Sequence, residues 1–172
     1  ICTGLGFGVR ENWLLTKKEV SKVTVLEKNK EVIEYHKYIN PKLFDDVEVI
    51  HTSAYDYKGK CDTLLLDHYE DEAGNAKLEP KKIVNDMFVL QAASEISDNI
   101  ECDRMWMWTL ELIVAEKSWQ RSCEVGSYVS KTLIYDEIKT EFNLNKLPDL
   151  TEEELQLYYF MYNSWSSFSS RY

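Results

Sequence analysis

A doubly wound α/β domain is what this sequence predicts: a mostly parallel sheet flanked by helices, followed by a mainly helical C-terminal part. Two patterns carry that expectation. Residues 1–70 alternate short β-rich runs with helical stretches, the order that builds parallel sheets through right-handed crossovers. Within them, CDTLLLD at residues 61–67 has the unbroken apolar centre of an interior parallel strand covered on both faces. The 172 residues, 44% of them hydrophobic, suffice for one core and one domain, divided into an α/β part over 1–110 and a helical part over 111–172.

In chain order, Ile1-Cys2-Thr3 reads as the remnant of a first strand. With no initiator Met, it predicts that the chain is entered in mid-strand and that more of that strand precedes it in a parent protein. Gly4-Leu5-Gly6-Phe7-Gly8 follows, then a helical run from Val9 to Lys18. Lys22–Glu27 (KVTVLE) puts Val23 and Val25 on one strand face and Thr24 and Leu26 on the other. Asn29 can cap the next helix, which carries Val32, Ile33, Tyr35, His36 and Ile39 and must stop at Asn40, because Pro41 disfavours helical geometry before it.

VEVIH at 47–51 and CDTLLLD supply two further strands. Pro80 opens a helix to about Ser97, with Ile83, Val84, Met87, Leu90 and Ala93 as its apolar stripe. DRMWMWTL at 103–110 is the fifth strand, its bulky residues alternating between two helical layers. Helices then run through Tyr128–Phe142 and on from Thr151, where Thr151 and Glu154 form a capping box and Leu150 can staple onto Leu155. Tyr158, Tyr159, Tyr162 and Trp165 follow at helical spacing, and could cover a cleft, form a dimer interface or pack on the domain's own core.

The formal charge of −10 is uneven: +1 over residues 1–60 and −11 over 61–172. An acidic surface repels phosphate backbones, so nucleic acid is disfavoured and a small or cationic molecule is the better partner. Cys2, Cys61, Cys102 and Cys123 stand far apart, without the spacing of a zinc site or a disulfide framework, and read as reduced thiols. No apolar run approaches a membrane span and no secretory signal is visible, which predicts a cytoplasmic protein. His36 and His51 read as structural residues.

The chemistry concentrates at the glycines. Gly4, Gly6 and Gly8 at alternate positions let the backbone turn sharply and approach a ligand closely. Glu27 stands nineteen residues beyond Gly8 at the carboxyl end of the next strand, where a carboxylate can accept from both hydroxyls of a ribose. The G-x-G-x-x-G dinucleotide pattern fails, because its third glycine would fall on Val9.

Gly4–Gly8, VTVLEKNKEVIEYHKYINP and CDTLLLD together resemble the class I S-adenosylmethionine-dependent methyltransferases and the related spermidine-synthase-like aminopropyltransferases, over Ile1 to about Glu72. The resemblance implies a Rossmann-like fold and a nucleoside cofactor, S-adenosylmethionine or its decarboxylated form. Carried over, Gly4, Gly6 and Gly8 lie under the methionine and ribose, and Glu27 holds the ribose hydroxyls. Ser53 and Ala54 sit beside the adenine, and Asp67 faces the reacting centre, with His68 as a second candidate base.

Three departures accompany it. Cys2 stands where the family has an acid contacting the methionine amino group, Ser53 stands where it has an acid near the adenine, with Asp56 three residues on, and the usual final two antiparallel strands are not recognisable. His68-Tyr69-Glu70-Asp71-Glu72 lacks the Asp/Asn-Pro-Pro-Tyr/Phe signature of base or amide N-methylation, while its carboxylates with Asp67 suit a polycation. Asp98-Asn99 precedes the fifth strand, where a magnesium-dependent catechol-type enzyme would need it after, so no metal is expected. The expected activity is methyl transfer to a small molecule. The alternatives are aminopropyl transfer and a non-catalytic relic that binds a nucleoside or a protein.

Overall fold

The computed structural model describes residues 1–5, 8–67, 86–108 and 110–169. Its elements are β1 (Cys2–Thr3), α1 (Val9–Leu15), β2 (Val23–Glu27), α2 (Lys30–Ile39), α3 (Leu43–Asp46), β3 (Val47–His51), β4 (Gly59–Leu66), α4 (Asp86–Asn99), β5 (Ile100–Met107), α5 (Leu110–Val125), α6 (Lys131–Glu141) and α7 (Glu152–Ser169). The five strands form one all-parallel sheet in the order β3-β2-β1-β4-β5, a Rossmann-like α/β fold.

Alternation along the strands divides the core in two. Cys2, Val23, Val25 and Val47 point to one face, where Leu5, Leu14, Leu15, Val32 and Leu43 cover them. Leu26, Leu64 and Leu66 point to the other, against Leu90, Ala93 and Ile96 of α4, Ile113 and Val114 of α5, and Ile134, Tyr135 and Ile138 of α6. β2 is buried over its whole length, as a strand with helices on both faces requires.

Local signals decide the element ends. Asn29 accepts from the Glu31 N–H at 2.8 Å and starts α2, which stops before Pro41. Only Ile33 and His36 of that helix are buried, and Tyr35 and Ile39 lie on its outer side. Helix α1 ends at Leu15, three residues short of the expected Lys18: the Thr16 hydroxyl donates to the Trp13 carbonyl at 2.7 Å, and Thr16–Val20 continues as turns. Thr151 and Glu154 make the capping box of α7, with the Glu154 N–H donating to Thr151 Oγ1 at 3.2 Å and the Thr151 N–H to Glu154 Oε2 at 2.8 Å. Leu155 is fully buried, with Leu150 against the same cluster.

The fifth strand begins at Ile100, three residues before the expected Asp103, because β4 itself begins at Gly59 and the two strands stay in register from Gly59 with Ile100. Met105 and Met107 face the core, Trp106 is half-buried against Tyr158 with ring centroids 5.0 Å apart, and Trp108 is exposed. The expected helix start at Pro80 lies outside the described residues, as do Ile83 and Val84; Leu90 and Ala93 are buried. After β5 the described residues form helices α5–α7 and no further strand. Instead the free edge of β5 is met by the segment before α7, where the Met105 N–H donates to the Lys146 carbonyl at 2.8 Å. Among the described residues, no helix is long and apolar enough to cross a membrane.

Candidate functional site

The strand order reverses between β1 and β4, since from β1 the chain builds the sheet first towards β2 and β3 and then, on the other side, through β4 and β5. Crevices at such a switch point lie outside the carboxyl ends of the strands, which here are Thr3, Glu27 and Leu66.

Gly4 and Gly8 both take left-handed backbone, with φ of 73° and 72°. The Gly4 N–H extends the β1–β2 ladder to the Leu26 carbonyl at 2.9 Å, and the Gly8 N–H closes a turn onto the Leu5 carbonyl at 3.0 Å. A side chain at Gly8 would also meet Leu43 Cδ2 at 2.9 Å, so the loop is pressed against α3. Gly6 lies outside the described residues.

Glu27 reaches into this loop. Its Oε2 accepts from the Leu5 N–H at 2.9 Å and its Oε1 from the Asn29 N–H at 2.7 Å. One buried carboxylate thereby ties the β1–α1 turn to the start of α2, as Asn29 in turn caps that helix. A carboxylate has about four acceptor positions, so each oxygen keeps one after these bonds. The Gly4–Gly8 turn and Glu27 are thus hydrogen-bonded together through the Leu5 N–H.

Asp67 stands at the carboxyl end of β4, its N–H donating to Thr3 Oγ1 at 3.0 Å. Its carboxylate pairs with Arg10 through Nη1 at 3.0 Å. Arg10 has all its donors engaged: Nε and Nη2 on Glu11 Oε1, Nη2 on the Gly4 carbonyl at 2.6 Å, both terminal nitrogens on the Thr3 carbonyl at 3.5 Å, and Nη1 also on Asp67. Glu11 is buried, with its side chain 1% exposed, whereas the Asp67 side chain is 46% exposed. Burial works against the Arg10 charge; the Cys2, Glu11 and Asp67 groups outweigh it and hold the guanidinium pKa above its ordinary value. Burial likewise pushes the Cys2 thiol up.

Arg10, Glu11 and Thr3 were not singled out from the sequence. A signal for the first was present: an arginine in the first turn of a helix opposes the helix dipole and needs carboxylates nearby. Glu11 brings a buried acid beside Cys2, the position where the resemblance leads one to expect an acid.

Ser53 and Ala54 follow β3. Ser53 makes a turn, its carbonyl accepting from Asp56 and Tyr57 N–H groups and its hydroxyl from the Tyr55 N–H at 3.3 Å. Ala54 is buried in the core cluster that also holds Leu26, and Asp56 is exposed. The β3 end is joined to β2, with the Thr52 N–H donating to the Glu27 carbonyl at 3.1 Å. Asn99 holds the same loop from α4, donating to the Tyr55 carbonyl at 3.0 Å. His68 and the run Glu70–Glu72 lie outside the described residues. A separate groove of about 510 Å³ lies between α5 and α7, lined by Leu112, Ala115, Trp119, Tyr128, Lys131 and Tyr159. No metal-holding group of three or more His, Cys, Asp or Glu occurs among the described residues. The chain matches no family model, no curated protein and no solved structure.

Proposed function

We propose that the chain is an S-adenosylmethionine-dependent methyltransferase acting on a small molecule, its nucleoside lying across the carboxyl ends of β2, β1 and β4. The observation that carries this reading is Glu27, a buried carboxylate at the end of β2 bonded to the glycine-turn backbone beside the switch point. Its remaining acceptor positions suit a ribose diol, and Gly4, left-handed at φ 73°, carries no side chain to obstruct a close approach.

Bound there, the sulfonium supplies an activated methyl group. The protein's part is then to orient and to exclude water. Glu27, fixed by two backbone N–H groups, sets the position of the ribose; the turn at Ser53 and Ala54 borders the adenine side; Asp67, anchored through Thr3 and Arg10, places negative charge towards the reacting end. Its carboxylate is paired with Arg10 at 3.0 Å, so its part in this reading is electrostatic.

A second reading, a non-catalytic nucleoside binder, is favoured by the same Arg10–Asp67 pair, which already occupies the acid. Calorimetry with S-adenosylmethionine and S-adenosylhomocysteine tests the common ground. Saturable binding, lost in Glu27→Ala, is expected, and absence of binding to both ligands would overturn the reading. Methyl transfer from labelled S-adenosylmethionine to pooled small-molecule acceptors separates catalyst from binder.

A further inference from the structure

Cys61 and Cys102 stand forty-one positions apart in the chain and become neighbours only in the sheet, where they are register partners on the parallel strands β4 and β5. Register partners point to the same face. Both thiols meet the larger core cluster, Cys102 buried within it and Cys61 half-buried against its edge. Neighbouring strands lie about 4.8 Å apart, inside the roughly 4.4–6.8 Å between Cα atoms that a disulfide spans. Neither of the other cysteines competes for the pair, since Cys2 belongs to the cluster on the opposite face of the sheet and Cys123 is exposed on α5.

The two thiols differ in access. Cys61, half-buried, is the one a reagent reaches first, and Cys102, 7% exposed, lies behind it. Lys60, Asp62, Glu101 and Asp103 flank them along the strands and are exposed, with Lys60 paired to Glu101 at 2.6 Å, so the rim carries an excess of carboxylate and favours a cationic reagent. Burial pushes both thiols up and slows thiolate formation; the Lys146 ammonium, held by the Ser97 and Ile100 carbonyls, acts against burial at both.

We infer that Cys61 and Cys102 form a redox-active dithiol, closed to a cross-strand disulfide by exchange with a small cationic disulfide. The pair lies towards the amino ends of β4 and β5, away from Glu27 and Asp67, and stands independently of the nucleoside reading. Cys61 loses its proton to solvent, and its thiolate attacks one sulfur of the reagent, breaking the reagent S–S bond and releasing one thiolate, which takes up a proton. Cys102, deprotonated in the same way, then attacks the Cys61 sulfur of the mixed disulfide and releases the second reagent thiol. Two electrons pass from the protein to the reagent, and the two protons lost by the protein are balanced by the two thiols formed. Side chains on neighbouring strands start about 4.8 Å apart, wider than the roughly 3.8 Å between Cβ atoms of a relaxed disulfide, so the bond reopens readily to a reducing thiol.

The test uses the full chain with Cys123→Ser, which removes the exposed thiol. It is incubated with cystamine, then alkylated in denaturant and mapped by mass spectrometry of unreduced peptides. A peptide pair joining Cys61 to Cys102 is expected, with Cys2 recovered as a free thiol and the link opened again by excess cysteamine. Adding Cys102→Ser should leave a cysteamine adduct on Cys61, and adding Cys61→Ser should leave Cys102 unmodified. Recovery of Cys61 and Cys102 as free thiols, a link from either to Cys2, or a lasting adduct on Cys61 beside a free Cys102 overturns the pair. A link that persists in excess cysteamine overturns its redox activity and makes it a fixed staple. Should either added serine prevent folding, the map of the Cys123→Ser chain decides alone.

Discussion

Replacing Glu27 by Gln removes a charge and, at constant size, turns one of its two acceptor oxygens into a donor. The Leu5 and Asn29 N–H groups now satisfied at 2.9 and 2.7 Å both need an acceptor, and a glutamine offers one carbonyl. One N–H, the buried one of Leu5 or the part-buried one of Asn29, therefore faces an NH2 group, and the other exchanges a charge-assisted bond for a neutral one. An orphaned buried donor costs about 1–3 kcal/mol and the weakened bond adds to it, so we expect a loss of about 2–4 kcal/mol. At a urea slope of about 2 kcal/mol/M the unfolding midpoint falls by about 1–2 M. Urea denaturation followed by tryptophan fluorescence measures it, and a midpoint within about 0.2 M of wild type would refute the role of the carboxylate as the tie between glycine turn and α2. Nucleoside binding should be lost together with the stability, because the same bonds set the direction of the remaining acceptor positions.

Three other outcomes follow from named contacts. Thr151→Ala breaks the capping box at the start of α7 and should cost about 1 kcal/mol in the same assay. Glu152 is partly desolvated, which would raise its pKa, but Tyr128, Ser130, the Thr132 N–H and Lys131 outweigh this and hold it at about 2. Its folded value lies below the ordinary 4.5, so its contribution, about 1 kcal/mol after screening of a partly exposed group, is complete above pH 4.5 and lost as pH falls towards 2; Glu152→Gln should flatten that part of the acid-stability curve. Among the four cysteines, Cys123 is exposed while burial raises the pKa of Cys2, Cys61 and Cys102. Ellman's reagent on the native protein should therefore show a single fast thiol, removed by Cys123→Ser, and two fast thiols would contradict the packing.

The α/β half was legible because its signals are local. Val23 and Val25, the Asn29 cap and the stop before Pro41 mark β2 and α2 without reference to anything distant. The capping box at Thr151 is equally self-contained. By contrast, the start of β5 depends on its register with β4, forty-one residues away, and no pattern within Ile100–Met107 announces it. The short helix α3 carries one buried residue, Leu43, too few to make a period. At the site, Gly4, Gly8 and Glu27 could be found as a spacing, since a strand and a helix separate them by a nearly fixed length. The Arg10–Asp67 pair spans fifty-seven positions and exists only because β1 and β4 are neighbours. Only the unfavourable placement of Arg10 in a first helical turn hinted that carboxylates must gather there.

A crystal structure of the protein with S-adenosylhomocysteine shows whether Glu27 holds the ribose. Both ribose hydroxyls are expected within hydrogen-bond distance of Glu27, about 2.5–3.2 Å, with the Leu5 and Asn29 N–H bonds kept. A ligand seated instead in the groove between α5 and α7, with no contact to Glu27, would contradict it.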